Sequence, residues 1–131
     1  MDAAEALADL KQISSQIDRV VLCTHDGAVE ASTLADAAAA GRMARAACDL
    51  YAAADAARAA LGRPALSQVE VATPEGSVFA MRDDLHLICA LTGADPTVGL
   101  IFYDLKTCLR SLASEPLVEV ADTLEGDDGG T

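Results

Sequence analysis

Positive charge is scarce in this sequence: nine lysine and arginine residues stand against 21 aspartate and glutamate residues, for a net charge of −12. A nucleic-acid-binding protein needs a basic surface to displace counterions from phosphates, so this balance argues against nucleic acid and anionic membranes as partners. No apolar run approaches the length of a membrane-spanning helix. Residues 1–12 are acidic and amphipathic, unlike a signal peptide. We therefore expect a cytoplasmic protein.

Cysteine is sparse and widely spaced. The sequence contains no Cys-x-x-Cys pair, which structural zinc sites usually show. Cytoplasmic thiols stay reduced, and free cysteine is commonly buried. We expect no cofactor, and we expect all four cysteines to pack in the core: Cys23, Cys48, Cys89 and Cys108.

The chain is long and apolar enough to fold as one domain. It has 131 residues, of which 52% are hydrophobic, so it can bury a core without metals or disulfides.

The first periodic segment is residues 3–17, and Asp2 followed by Glu5 forms the pattern of a capping box ahead of it. Its apolar residues recur at the spacing of one helix face: Leu7, Leu10, Ile13 and Ile17.

A β-hairpin is predicted next. The segment "RVVLCT" at residues 19–24 is apolar on both faces, which is typical of a strand inside a covered sheet. "VEAS" at residues 29–32 is the returning strand. The corner between them, His25-Asp26-Gly27, raises the question of a reactive site. We interpret it as the bend of the hairpin, since Asp-Gly tolerates the positive φ angles of tight turns.

An alanine-rich helix is predicted between the two groups of strands. It spans residues 34–62 and ends at Gly62, where Arg63-Pro64 follows as a stop signal. Small side chains allow another backbone to approach closely. Gly41 within it has two open interpretations, a close helix crossing or a tolerated glycine.

Three strands and a helix complete the chain. An antiparallel meander is predicted from "LSQVEVAT", "VFAMRD" and "LHLICAL", with the last strand central. The closing helix is predicted from "VGLIFYDLKTCLRSLAS", but its start is open, because "GLIFY" could equally prolong a strand. The fold class is therefore α+β, an α-β-β-α-β-β-β-α sandwich whose five-stranded antiparallel sheet carries helices on both faces. We expect one domain over residues 1–114 and an acidic, flexible tail over residues 115–131.

The whole pattern resembles the Roadblock/dynein light chain family, especially its small prokaryotic members. The resemblance spans about residues 5–113 and depends on Asp26-Gly27 in the first hairpin, the small-residue second helix, Gln68 to Val71, and Leu85 after the acidic bend. No catalytic signature is among these features. The resemblance implies a profilin-like fold and a homodimer joined through the third strand and the second helix.

Carried over by position, that dimer interface has the following candidate residues: Ala37, Gly41, Ala44, Ala47, Cys48, Ser67, Val69, Val71 and Thr73. The third strand is short, and its outer edge needs a partner or protection. A twofold axis makes one small-residue patch self-complementary. The residues therefore agree with the role that the resemblance gives them.

Family members commonly bind small Ras-like GTPases or act as adaptors. The resemblance implies a non-enzymatic homodimeric regulator or scaffold of such a GTPase. The sequence has no GxxxxGK[ST] loop that would bind nucleotide by that route. If it stimulates GTP hydrolysis, Arg42 or Arg45 could supply charge to the γ-phosphate; otherwise both only solvate the helix.

Two alternatives stay open. One is a ligand-sensing or structural adaptor module of the same fold, with a small molecule between sheet and helices near His86 and Cys89. The other is an enzyme or metal protein. The first and last strands are neighbours in this family's sheet, so Cys23 and His25 could meet His86 and Cys89, a set that suits zinc.

Overall fold

The structure is a computed structural model that describes the backbone of residues 1–120 and the side chains of residues 1–112. Three helices and five strands follow one another in the predicted order. Their bounds are α1 Ala3–Ile13, β1 Ile17–Thr24, β2 Val29–Ser32, α2 Ala37–Ala59, β3 Gln68–Ala72, β4 Ser77–Arg82, β5 His86–Thr92 and α3 Val98–Val120.

The five strands form one antiparallel sheet in the order β2-β1-β5-β4-β3. The central strand is β5, as its nearly continuous apolar sequence predicted, because such a strand is buried on both faces. The two edge strands are β2 and β3. Short connections make the hairpins, since antiparallel neighbours need no crossover.

The helices cover the sheet from both sides. Alternate residues of β1 point to opposite faces: Val20 and Leu22 pack in a cluster with α1 and α3, whereas Val21 and Cys23 pack in a cluster with α2. The α1–α3 layer contributes the bulkier side chains. The α2 layer contributes mostly methyl groups and one large ring, Tyr51. The predicted α+β sandwich is therefore confirmed.

Helix α1 begins as predicted and ends earlier. Asp2 accepts from the Glu5 N–H and Glu5 accepts from the Asp2 N–H, which completes the capping box. The prediction that the helix continues to Ile17 is wrong, because Ser14 adopts an extended conformation and Ile17 opens β1 with its side chain in the core. Ile13, the other expected stripe residue, is 55% exposed at the end of the helix.

Two turns contain a glycine with positive φ. Gly27 has φ +93° in the first hairpin, so the corner with His25 and Asp26 is confirmed as a bend. Gly62 has φ +69° just after α2, and the Arg63 N–H bonds back to the Arg58 carbonyl, which ends the helix. Gly41 has open space around it within the described chain, so no close crossing involves it there.

Helix α3 starts at Val98, which settles the uncertain segment after β5 as helix. Its Phe102 ring meets the Phe79 ring of β4 edge to face, with centroids 5.1 Å apart. The helix continues past residue 114 to Val120. The predicted acidic tail lies largely outside the described residues, at 121–131.

None of the helices within the described part is long and apolar enough to cross a membrane.

Candidate functional site at the open edge of the sheet

Strand β3 has one edge without a partner in the described chain. Thr73 and Gly76 exchange backbone hydrogen bonds, and the Arg82 N–H donates to the Ser67 carbonyl at 3.2 Å. In an antiparallel ladder every second residue bonds to the same neighbour. The intervening residues therefore direct their N–H and C=O groups outward: Gln68, Glu70 and Ala72. This edge, residues 68–72, is called the β3 edge.

A turn of restricted shape holds the far end of the β3 edge. A Cβ on Gly76 would lie 2.3 Å from the Thr92 carbonyl oxygen of β5, so only glycine fits there. The Thr73 hydroxyl donates to the Gly76 carbonyl at 2.7 Å. The end of β3 is thus fixed against the centre of the sheet.

A polar clamp holds the near end, where the chain enters β3 from α2. Arg82 Nη2 donates to Asp55 Oδ2 at 2.6 Å, and Arg82 Nε donates to the Leu66 carbonyl at 2.9 Å. Asp55 Oδ1 accepts from the Leu66 N–H at 2.9 Å. The Arg82 guanidinium also lies over the Tyr51 ring, 4.2 Å from its centroid. Helix α2 and strand β4 are therefore tied to the start of β3.

Tyr51 of α2 also belongs to the clamp and lies between the helix and the sheet. Its hydroxyl lies 2.9 Å from the Ser67 oxygen and 3.0 Å from the Ala80 oxygen, so its one proton serves either carbonyl. Burial raises the pKa of Tyr51. The Leu66 N–H and then Arg82 hold the pKa of Asp55 below its usual value. The phenol therefore stays neutral and the carboxylate ionised at neutral pH.

An apolar groove of about 230 Å³ runs between α2 and the α2-facing side of β3, β4 and β5. It is called the α2 groove. Val71 of the β3 edge is 40% exposed at its margin. The side chains that line it are almost wholly apolar: Met43, Ala46, Ala47, Leu50, Val71, Val78, Cys89 and Leu91. The open edge and the groove thus form one continuous surface.

The predicted interface residues of α2 fall in three places. Ala44 is fully buried against the chain's own sheet, so it offers no surface to a second chain, and Ala47 forms the floor of the α2 groove. Cys48 faces the β1–β2 hairpin, with Sγ 4.0 Å from the Thr24 oxygen. Gly41 lies two turns earlier on the same flank. Ala37 is exposed in the first turn.

The predicted interface residues of the third strand lie together. Val69 packs against the α2 cluster and Val71 lines the groove, as their alternation with Gln68 and Glu70 predicted. Ser67 and Thr73 are exposed at the two ends of the strand. Whether any of these residues contacts a second chain stays a prediction.

The two candidate arginines differ in their surroundings. Arg42 is exposed on the outer face of α2. Arg45 is exposed as well, but its guanidinium lies against the first hairpin, where a Cβ on Gly27 would be 3.8 Å from Cζ. Arg45 also acts with Thr24 to hold the pKa of Asp26 below its usual value, the Thr24 hydroxyl being the larger cause.

The four residues of the zinc alternative do not converge. Strands β1 and β5 are neighbours as that interpretation required, yet Cys23 and Cys89 point toward α2. His86 lies on the opposite face with Nε2 2.9 Å from Glu30, and His25 Nε2 lies 2.8 Å from the Asp83 oxygen. Across residues 1–112, no group of three acidic, histidine or cysteine side chains is placed to hold a metal ion.

Sequence reasoning missed the side chains on the β3-facing flank of α2: Met43, Ala46 and Leu50. The small-residue pattern drew attention to glycine and alanine instead. A signal existed, because Met43 and Leu50 recur at seven residues on one side of a helix otherwise covered with methyl groups. Two large apolar residues on one flank indicate a surface beside the sheet.

Similarity to known proteins is structural. No protein-family model matches the chain, and no curated protein matches it in sequence. A Roadblock/LC7 domain from Streptomyces avermitilis superposes with a TM-score of 0.79 at 21% identity, covering 92% of this chain and 100% of that chain. The gliding protein MglB from Thermus thermophilus gives 0.71 at 16% identity, covering 86% of each chain.

A further MglB structure, described as having a tetrameric arrangement, gives a TM-score of 0.73 at 15% identity and covers 86% of this chain and 85% of that chain. All three share the arrangement of helices and strands over most of both chains. Their sequences are too different to transfer residue roles. The chain therefore has the fold of the Roadblock/LC7 domain.

Proposed function

We propose that the protein is a non-enzymatic, cytoplasmic homodimer that regulates or scaffolds a small Ras-like GTPase. The observation that carries the proposal is the β3 edge, an unpaired strand edge that continues into the α2 groove. A second copy is the occupant that fits both at once, because a twofold axis pairs β3 with its own antiparallel copy.

The chemistry of the edge supports self-association. The outward groups of Gln68, Glu70 and Ala72 recur every second residue, which is the spacing that another antiparallel strand requires. Val71 and its copy would stand side by side over the two α2 grooves and remove apolar surface from water. The tetrameric arrangement described for MglB is consistent with self-association in this fold.

The GTPase part of the proposal depends on the family resemblance and on the net charge. Known Roadblock proteins that bind Ras-like GTPases make this the first partner to test. A chain with a net charge of −12 would be attracted to a basic surface on that partner. The exposed arginines Arg42 and Arg45 lie on α2, at the far side of the sheet from α1 and α3.

The dimer is tested by light scattering on the full chain and on two matched variants. Val71 and Val29 are 40% and 38% exposed and lie on opposite edge strands. The wild type should have about twice its chain mass of 13.4 kDa. Val71→Lys should be a monomer and Val29→Lys a dimer. A monomeric wild type, or dissociation by both variants alike, would overturn the β3-edge dimer.

The partner is tested with immobilised full chain incubated in lysate of its own source cells, with either GDP or a non-hydrolysable GTP analogue added. Recovery of a Ras-like GTPase in one nucleotide state supports the proposal. Absence of any such GTPase in both states counts heavily against it. Single-turnover GTP hydrolysis by the recovered GTPase, with and without the protein, then separates stimulation from tethering.

The roles of the arginines are read from the same hydrolysis assay. If Arg42 or Arg45 acts as an arginine finger, its replacement by alanine should remove a stimulation of about 10³-fold or more. Arg110→Ala is the matched control, because Arg110 is exposed on α3 in the other layer. Unchanged hydrolysis with retained binding would identify a scaffold.

A ligand-sensing adaptor is the second candidate, and the α2 groove is the observation that favours it. Its volume of about 230 Å³ is below that of a drug-sized pocket but holds a small apolar molecule. A thermal shift produced by a metabolite panel in the wild type, and reduced in Leu50→Ala, would support this candidate. Dimer formation through the same surface would close the groove to such ligands.

A further inference from the structure

Three of the four cysteines lie together between the sheet and α2. Cys23 on β1 and Cys89 on β5 point to the same face, offset by two residues in the register between the strands. Cys48 on α2 packs against that cluster. The Cys48 sulfur lies 4.0 Å from the carbonyl oxygen of Thr24, the residue that follows Cys23. The Cys23 and Cys48 thiols are therefore neighbours in one layer, although their residues lie on different elements of the fold.

The two thiols differ in access. Cys23 is 0% exposed, whereas Cys48 is half-buried. The Cys48 sulfur lies at the end of the first hairpin, 3.8 Å from the position of a Cβ on Gly27, next to the exposed Arg45 guanidinium. A small oxidant can thus reach Cys48 from solvent and cannot reach Cys23. Any reaction at Cys23 must come through its neighbour.

We propose that Cys48 and Cys23 are a redox modification site, at which hydrogen peroxide or a related small peroxide forms a disulfide that ties α2 to β1. The Cys48 thiolate attacks one peroxide oxygen, which forms an S–O bond, breaks the O–O bond and gives a sulfenic acid and water. The Cys23 sulfur then attacks the Cys48 sulfur. The S–O bond breaks, the Cys23 proton leaves with the hydroxide as water, and the S–S bond forms.

The step balances and fits the packing. Two thiols lose two electrons and two protons, and one peroxide molecule is reduced to two water molecules. Disulfide formation brings the two neighbouring sulfur atoms to the S–S length of about 2.0 Å. Burial, and then the nearby Cys48, raises the pKa of Cys23 to about 12, so Cys23 reacts as the second thiol rather than the first. Disulfides of this transient kind occur in reducing compartments.

Cys108 supplies an internal comparison. It is buried in the α1–α3 layer, where its thiol donates to the Ala6 carbonyl oxygen at 3.6 Å. Burial raises its pKa to about 11. It has no thiol neighbour among the described side chains, so peroxide that reached it would have no resolving partner.

The test treats the reduced, folded full chain with hydrogen peroxide and measures intact mass under non-reducing conditions, followed by peptide mapping. The wild type should lose the mass of two hydrogen atoms, keep two of its four thiols, and yield a linked Cys23–Cys48 peptide that a dithiol reductant separates. Cys48→Ser should abolish the loss. Cys108→Ser and Cys89→Ser should retain it.

Three outcomes would overturn the site. They are a gain of oxygen at Cys48 without hydrogen loss, a disulfide found only between two chains, and an intact thiol pair until urea unfolds the protein. Peptide mapping of the wild type gives the answer even if a variant folds poorly. This proposal is independent of the GTPase proposal, since none of its measurements involves a partner.

Discussion

Strands β2 and β3 lie at opposite edges of one sheet, and they differ in the regularity of their pairing with the neighbouring strand. In β2, the register with β1 shifts between Leu22 and Cys23, so that Glu30 is an extra residue without a position opposite it. A bulge of this kind twists an edge and interrupts the row of outward groups. In β3, five consecutive residues pair with β4 without a shift.

Their neighbours differ as well. Helix α1 contacts β2, and the Glu30 carboxylate is paired with His86. The β3 edge instead continues into the apolar α2 groove. One edge of the sheet is therefore interrupted by a bulge and contacted by a helix, whereas the other is a regular strand beside an apolar groove. A dimer through β3 would have two bulged β2 strands as its outer edges, and assembly by strand pairing would stop there.

The largest expected effect is on the dissociation constant of the proposed dimer, and it comes from Glu70→Pro. The Glu70 N–H points away from β4, so proline removes a donor of the β3 edge and leaves the β3–β4 ladder intact. Two such donors are lost per dimer. At about 1.5 kcal/mol each, the dimer Kd should rise by about 100-fold. Sedimentation equilibrium measures this. Glu70→Ala, which keeps the N–H, should dimerise, and loss of the dimer there would assign the effect to the side chain.

A smaller effect, on the free energy of unfolding, is expected from removing one hydrogen bond of the clamp at the start of β3. Tyr51→Phe removes the hydroxyl that donates to the Ser67 or Ala80 carbonyl. The free energy of unfolding should fall by about 1 kcal/mol, the usual net value of one hydrogen bond. Urea unfolding measures it, with Tyr103→Phe on the exposed face of α3 as the control. An equal loss in both variants would contradict the role of the clamp.

The clamp also predicts an acid dependence. The pKa of Asp55 is lower in the folded chain than its ordinary value of 3.8, so its contribution to stability is complete above that value and is lost as the pH falls below it. Asp55→Asn should be less stable than the wild type at pH 7 and approach it at acid pH. Urea midpoints measured down to about pH 3 test this. Parallel curves for the two proteins would refute the assignment.

The smallest effect is expected at the protected edge. Glu30→Gln weakens the partly exposed pair with His86, and pairs near the surface contribute only about 0–1 kcal/mol. The dimer should be unchanged, because Glu30 lies on the other edge strand. Thermal unfolding and light scattering measure the two quantities. A dissociated dimer would show that β2 rather than β3 carries the interface.

The sequence predicted the order and type of the elements because each had a local signal. Asp2 and Glu5 marked the first helix start, Asp26-Gly27 the hairpin and Gly62 the end of α2. The end of α1 was mispredicted because Ile17 continues the helical spacing by coincidence: it is an apolar residue of β1. Periodicity cannot separate two adjacent elements whose apolar residues fall in phase.

The candidate site was predictable at the strand and not at the helix. Alternation along β3 placed Val69 and Val71 on one face, which is confirmed because Val69 packs against the α2 cluster and Val71 lines the groove. On α2 most residues are small, so composition did not separate the buried line of Ala44 from the groove flank. Only the seven-residue spacing of Met43 and Leu50 marked that flank. The placement of Cys48 beside the cluster that contains Cys23 depends on where α2 crosses the sheet. No local sequence pattern encodes such a crossing.

The methyl-covered outer surface of α2 has a consequence for the entropy cost of binding a partner. Exposed alanines such as Ala52, Ala53 and Ala56 have no rotamers. A partner that covers them therefore freezes no side chains, whereas ordering a lysine, glutamate or methionine loses up to about 2 kcal/mol of conformational entropy. Contacts on this helix can form and separate without side-chain rearrangement. Their selectivity must then come from backbone shape and from the few arginines between the alanines.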